Sequence, residues 1–515
     1  MTATWTDAPA DLAAAVPCVY RRSVHRIALG LTACLLLAAA ACVSEADENP
    51  LEAGNDGAGD QSAATESPDG PDEASADTLD WEECGGETEC ATLDVPVDYD
   101  EPDGDTLTLS IARVPAGGDR IGALFVNPGG PGASAASFAT TLAASLPDDI
   151  TERFDIVGVD PRGLGASDMD CGGDFTELYG VDYSIDSPED ETTLLDVSSA
   201  YIDGCEAAAG DLLPHLGTAN VARDIDAVRA AMGDEQLNYL GFSYGTAIGQ
   251  MLADMFPDRV RAMVIDGVLE LGPTGTELAA DQARGFEDAF AAFADDCDGD
   301  PSCPIAPDAT AALDELSARV EQEPIPGSPR DLGPGELSTG LALPLYSQSL
   351  WPQLADAIAD GLDGDGSGMV ELADQYIGIA DFDIYFVVNC LDLEWPESPD
   401  ELLAAGVAAA REAPHFGEPI VNDYVRCAMW PVEEQPLPAV TAPGAPPILV
   451  VSTTGDPATP YEAGVRTAER LESGVLLTYE GEGHTVVGNG VSCVDDAVIR
   501  YLVDLEPPGD GTTCS

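Results

Sequence analysis

The stretch LNYLGFSYGTAIGQ, residues 237–250, sets a serine between two glycines where an apolar run ends and a helix-like run begins. A hydroxyl lifted out of such a corner can attack a carbonyl, provided a base takes its proton. The chain has four histidines, so the choice of base is narrow. His25 falls in an N-terminal targeting pattern, His215 in a proline-flanked loop and His415 in a helix-rich region. His484 sits in EGEGHTVVG, a glycine-rich loop after the last clear strand pattern. A base belongs there if the order along the chain is Ser, acid, His. Asp456, in VVSTTGDPATP directly after an apolar run, is the acid of that order. Ionised, it would fix one His484 tautomer and stabilise the imidazolium. The predicted chemistry is acyl transfer on Ser243.

A developing oxyanion needs donors aimed at it. The Tyr244 N–H, at the helix start after Ser243, is one. NPGGPG (127–132) follows another strand pattern and lets backbone approach a substrate closely; the Gly130 N–H is the second expected donor. Asp160 and Arg162, in FDIVGVDPRGLGASD, are predicted to brace their loop as a hydrogen-bonded ion pair, a structural role.

Elements must hold these side chains. TLTLSIARV (106–114) alternates like a half-buried strand. The runs at 122–128, 154–160, 237–242 and 262–267 are short, apolar and bounded by turn residues, as in strands covered on both faces. Between them, 218–233 puts Val221, Ile225, Val228 and Ala231 on one helical face, with Gly233 as a stop. Alternating strand and helix predicts an α/β fold with a mostly parallel sheet. From 272 to 435 the pattern is Ala-rich and amphipathic, and strand patterns return at 446–456 and 474–484. A helical insertion in a sheet domain reads as a cap over the carboxyl ends of the strands.

The chain carries 95 acidic residues against 19 basic ones, a formal charge of −76, and every basic residue is Arg. Such a surface repels nucleic acid and anionic headgroups. It suits a saline exterior, where screening shortens the reach of self-repulsion. Residues 1–42 read as a signal peptide: Arg21, Arg22 and Arg26 precede an apolar run ending in small residues at Cys42. Ala39-Ala40-Ala41-Cys42 resembles a bacterial lipoprotein processing site, with Ala39 where Leu is usual. Lipid attachment at Cys42 and plain secretion both stay open. Residues 43–80 are acidic and nearly free of large apolar groups, the composition of a solvated tether. The expected layout is a hydrolase core at 81–271 and 436–515, interrupted by the cap at 272–435. Ten cysteines follow the targeting segment, an even count that fits disulfides in an exported chain. Their grouping pairs neighbours in order: Cys84–Cys90, Cys171–Cys205, Cys297–Cys303, Cys390–Cys427 and Cys493–Cys514. No Cys-x-x-Cys occurs and His is scarce, so neither a metal nor an organic cofactor is expected.

Seven segments in order, CATLDVPVDYDEP, NPGGPG, FDIVGVDPRGLGASD, LNYLGFSYGT, GDPATPY, GEGH and CVDDAVIRYLVDLEPPGDGTTC, span about 82 to 515. Together they resemble the secreted actinobacterial tripeptidyl aminopeptidases, α/β-hydrolases related to proline iminopeptidases. The resemblance implies an α/β-hydrolase fold with a helical cap, a nucleophile at Ser243, an acid at Asp456 and a base at His484. It implies hydrolysis of peptides from the free amino end, for which Asp392 and Glu394, in VVNCLDLEW (387–395), are the carboxylates expected to pair with the substrate ammonium. A carboxylesterase or lipase on the same triad is the alternative, and a non-catalytic binding lipoprotein a lesser one. In either enzyme the partner is a small peptide or ester.

Overall fold

The computed structural model describes residues 78–185 and 187–515. The signal and lipidation expectations, and nearly all of the tether, lie outside the described residues. Ten strands form one sheet: β1 (Glu82–Gly85), β2 (Thr88–Pro96), β3 (Thr106–Val114), β4 (Gly122–Asn127), β5 (Phe154–Val159), β6 (Leu237–Phe242), β7 (Val260–Asp266), β8 (Ile448–Gly455), β9 (Gly474–Glu482) and β10 (Thr512–Cys514). Their spatial order is β1-β2-β3-β5-β4-β6-β7-β8-β9-β10. The β1, β2, β3 and β5 neighbours pair antiparallel, and every pairing from β5 through β4 to β10 is parallel.

The parallel centre explains the unbroken apolar runs. Every residue of β4, β5 and β6 is buried, because helices cover both faces. One core cluster joins β3 to β7 with the helix Thr218–Ala231, and the opposite face packs on Ser492–Asp504. β3 alternates as predicted, since its pairing with β2 leaves one face partly solvated.

β7 and β8 are neighbours in the sheet yet about 180 residues apart in the chain. Helices fill that interval, starting with Gly275–Gly299 and including Pro334–Leu345, Trp351–Asp363 and Phe382–Asp392. They build a core cluster of their own around Phe290, Phe293 and Trp351. The chain therefore has an α/β-hydrolase fold with a helical cap inserted between β7 and β8. All five expected disulfides are formed.

One expectation fails. Arg162 does not pair with Asp160. It is fully buried and grips Asp224 at 2.7 and 2.8 Å, with further bonds to the Val97 and His215 carbonyls. Asp160 instead accepts from the Ser134 hydroxyl and the Ala136 N–H, at the start of the helix Ala135–Ala143. The side chains leave the strand end in different directions, and each meets a partner distant in sequence.

Candidate active site

The corner after β6 is tight for a physical reason. A Cβ on Gly241 would lie 2.5 Å from the Gly245 carbonyl, and one on Gly245 would lie 2.7 Å from the Asn127 carbonyl. Only hydrogen fits at either position, so the helix Gly245–Met255 lies directly against the sheet. Between them Ser243 takes φ 53°, a left-handed conformation that costs a non-glycine residue energy. Its N–H donates to the Asp266 carbonyl at 2.9 Å, and the Thr246 N–H donates back to the Ser243 carbonyl. Those bonds hold the strained turn and leave the Ser243 side chain at the wall of a cavity.

That cavity has a volume of about 290 Å³ and is lined by Ser243, His484, Gly130, Tyr244 and Asp392 among others. The loops after β4, β6 and β9 supply the first four, and the loop after β8 adds Ala458, Thr459 and Pro460; the cap supplies Asp392 from the end of Phe382–Asp392.

His484 Nδ1 lies 2.9 and 3.0 Å from the two Asp456 oxygens. An ionised carboxylate only accepts, so Nδ1 carries the proton and Nε2 is left as the acceptor. Asp456 is buried and held by the Ala458 and Thr459 N–H groups and the Thr459 hydroxyl, at 2.9 to 3.0 Å. The His484 N–H donates to the cap's Tyr346 carbonyl at 2.9 Å, and the two rings meet edge to face. Burial pulls the His484 pKa down, but the charge and hydrogen bond of Asp456, helped by the charge of Asp266, raise it above the ordinary imidazole value.

Asp266 went unnoticed in sequence. It ends β7 in AMVIDG, a strand-terminal acid like many in this acid-rich chain. Its carbonyl holds the Ser243 N–H, while Oδ2 accepts the Val486 and Val487 N–H groups at 2.8 and 2.7 Å. One residue thus ties the serine turn to the histidine loop. Burial pushes its carboxyl up to about 7, aided by the charge of Asp456 and opposed by the two N–H groups and by His484.

The Gly129 N–H is committed to Asn127 Oδ1 at 2.9 Å. The Gly130 and Tyr244 N–H groups have no acceptor among the described residues. Both belong to cavity-lining residues.

The two expected ammonium partners part ways. Asp392 is buried and lines the cavity; Glu394 is exposed and is not among the lining residues. Burial pushes the Asp392 carboxyl up to about 7, against the pull of the Thr218 hydroxyl and N–H. Glu270 and Asp281 also line the cavity, but Arg466 and Arg470 bind Glu270, and Arg284 and Arg466 bind Asp281. Asp392 is the lining carboxylate without a cationic partner among the described residues, and no Arg lines the cavity. His215 and His415 lie elsewhere; the His415 ring bonds Glu287 and Asp314 within the cap.

Residues 413–514 match a family model described as TAP-like protein. The chain is 39% identical over 456 residues to the serine protease Hip1 of Mycobacterium tuberculosis, covering 82% of this chain and 87% of that protein. It is 31% identical over 467 residues to the tripeptidyl aminopeptidase of Streptomyces lividans, covering 85% and 86%. The chain belongs to the tripeptidyl aminopeptidase family. A third relative, 38% identical over 450 residues with 83% and 86% covered, is carboxylesterase B of Mycobacterium tuberculosis. Like these relatives, the chain is a hydrolase, and family membership makes it a serine hydrolase.

Proposed function

We propose that this member of the tripeptidyl aminopeptidase family is an exported serine peptidase that releases residues or short peptides from free peptide N-termini. The observation that carries the reading is a single cavity lined by Ser243 and by a His484 already bonded through Nδ1 to buried Asp456. Ser243 attacks the scissile carbonyl as His484 Nε2 takes its proton. The Tyr244 and Gly130 N–H groups hold the oxyanion. His484 then protonates the leaving amine, an acyl-enzyme forms on Ser243, and water repeats the cycle. The preference for a free amino end is supported by a lining with three carboxylates and no Arg, in which Asp392 is open to a cation. Residues 272–435 act as the cap that limits how much peptide enters. Export rests on the targeting pattern of residues 1–42 and is supported by the five disulfides, with lipidation at Cys42 or free release as its two forms.

A carboxylesterase activity on the same residues is the second reading. The cavity's aromatic lining, which includes Tyr346, Tyr376, Phe382, Tyr385, Trp395 and Tyr424, would equally take an acyl chain. A panel of anilides separates the two. The peptidase reading predicts turnover of peptidyl anilides with free amino ends and loss of at least tenfold in kcat/KM on N-acetylation. It also predicts that Asp392→Asn removes most of that discrimination. Equal turnover of blocked and free substrates, with faster cleavage of simple acyl esters, would favour the esterase.

A further inference from the structure

The helix Phe382–Asp392 meets the oxyanion region at both ends. At its start, the Asp381 N–H donates to the Gly132 carbonyl at 2.9 Å. Gly132 closes the NPGGPG loop that carries Gly130, and a Cβ on Gly132 would collide with the Asp381 carbonyl. At its end, Asp392 accepts the Thr218 N–H at 3.0 Å and the Thr218 hydroxyl at 2.5 Å. Thr218 Oγ1 in turn lies 2.6 Å from the Tyr244 hydroxyl. When Asp392 is ionised, Thr218 spends its one proton on the carboxylate, so the Tyr244 O–H donates to Thr218. The chain of bonds runs from cap to serine turn: Tyr244, Thr218, Asp392.

The helix is itself well fixed. Asp383 accepts the Cys171 N–H at 2.9 Å, and Cys390 is bonded to Cys427. The Leu391 and Asp392 carbonyls accept the Gln435 and Leu437 N–H groups at 2.6 and 2.9 Å. Eleven helical residues make a rod of about 16 Å whose length hydrogen bonds hold constant.

We propose that the Phe382–Asp392 helix is a strut that braces the two oxyanion donors, tied at its start to the loop that carries Gly130 and at its end to the Tyr244 side chain, and that Thr218 is the positioning residue transmitting it to Tyr244. The proposal rests on the reading of those two N–H groups as donors. Oxyanion stabilisation depends on donors already standing at hydrogen-bond distance from the charge that develops. A rod bonded to the loop of one donor and, through Thr218, to the side chain of the other supplies that order before substrate arrives. The cap then does more than cover the site, because it contributes to its geometry. Thr218 is buried and is not among the cavity-lining residues, so it acts only through its neighbours.

Thr218→Val keeps the N–H bond to Asp392 and nearly the same volume but removes the hydroxyl link. The expected result is a fall in kcat of about tenfold or more on free-amino anilides and simple esters alike, with KM within about twofold, since a displaced donor costs less than the 10²- to 10³-fold of a deleted one. Thr218→Ser restores most of the rate. Tyr244→Phe breaks the same link from the other side, predicts the same split, and carries the test if Thr218→Val does not fold. The strut is overturned if kcat in these variants stays within twofold of the parent, if KM rises while kcat holds, or if the loss is confined to free-amino substrates. Ser243→Ala run in parallel separates the failures. A Ser243→Ala enzyme that still turns over removes the active-site reading itself, whereas an inactive Ser243→Ala beside an unimpaired Thr218→Val removes only the strut.

Discussion

In the proposed mechanism His484 must be neutral to accept the Ser243 proton, and its pKa is raised by Asp456 and Asp266 against the pull of burial. Activity should therefore fall as pH drops through a midpoint above about 6.5, the ordinary imidazole value. Asp456→Asn removes the main raising influence and leaves the burial, so the acidic limb should move to lower pH. The same change releases the wrong tautomer, and kcat should fall about 10³- to 10⁴-fold. A profile of kcat/KM against pH checks both; a limb that stays put or moves upward would contradict the assignment. Asp266, pushed to about 7, titrates beside His484, so the observed limb belongs to the pair. Asp266→Asn should also lower the limb, by less than Asp456→Asn does. The Ser–acid–His order was legible because three loops of the expected kind each followed a recognisable strand. Asp266 and the partner of Arg162 were not. Both depend on which distant segment the sheet order brings alongside, and a strand-terminal acid looks the same whether it meets water or two N–H groups.

The helix Gly245–Met255 approaches β6 so closely that no side chain fits between them. Gly241→Ala should force the two apart and destabilise the protein by about 1–3 kcal/mol. Chemical denaturation checks this through a lower midpoint at unchanged slope, and an unchanged midpoint would mean the corner has room to relax. The buried parallel strands were readable as apolar runs because both faces are covered. β1, β2 and β10 were not recognised. β1 is fully exposed and reads as a polar turn, though the Cys84–Cys90 bond and pairing with β2 hold it in place. β10 is three residues long and rests on β9 and on Cys493–Cys514. Several cap helices announced themselves by Ala-rich amphipathic runs, but Pro334–Leu345, Ser367–Ile377 and, most of all, Phe382–Asp392 did not. Nine of its eleven residues are buried, so it lacks the polar face that marks a surface helix.

Across the whole molecule, a formal charge of −76 sets carboxylates against one another wherever Arg does not intervene. Screening length falls from about 10 Å at 0.1 M salt to about 3 Å at 1 M. The melting temperature should therefore rise with NaCl over that range; a fall on adding salt to a dilute sample would count against adaptation to a saline exterior. Composition gives the charge balance directly, while the cavity was not visible until cap and sheet came together. The proposed chemistry rests on Ser243 as the nucleophile, activated by His484 and Asp456. The most direct measurement is labelling of the folded protein with a fluorophosphonate, followed by mass-spectrometric mapping of the adduct. The account predicts one adduct on Ser243, absent from Ser243→Ala and strongly slowed in any variant lacking the His484 imidazole. An adduct on another residue, or undiminished labelling of Ser243→Ala, would contradict it.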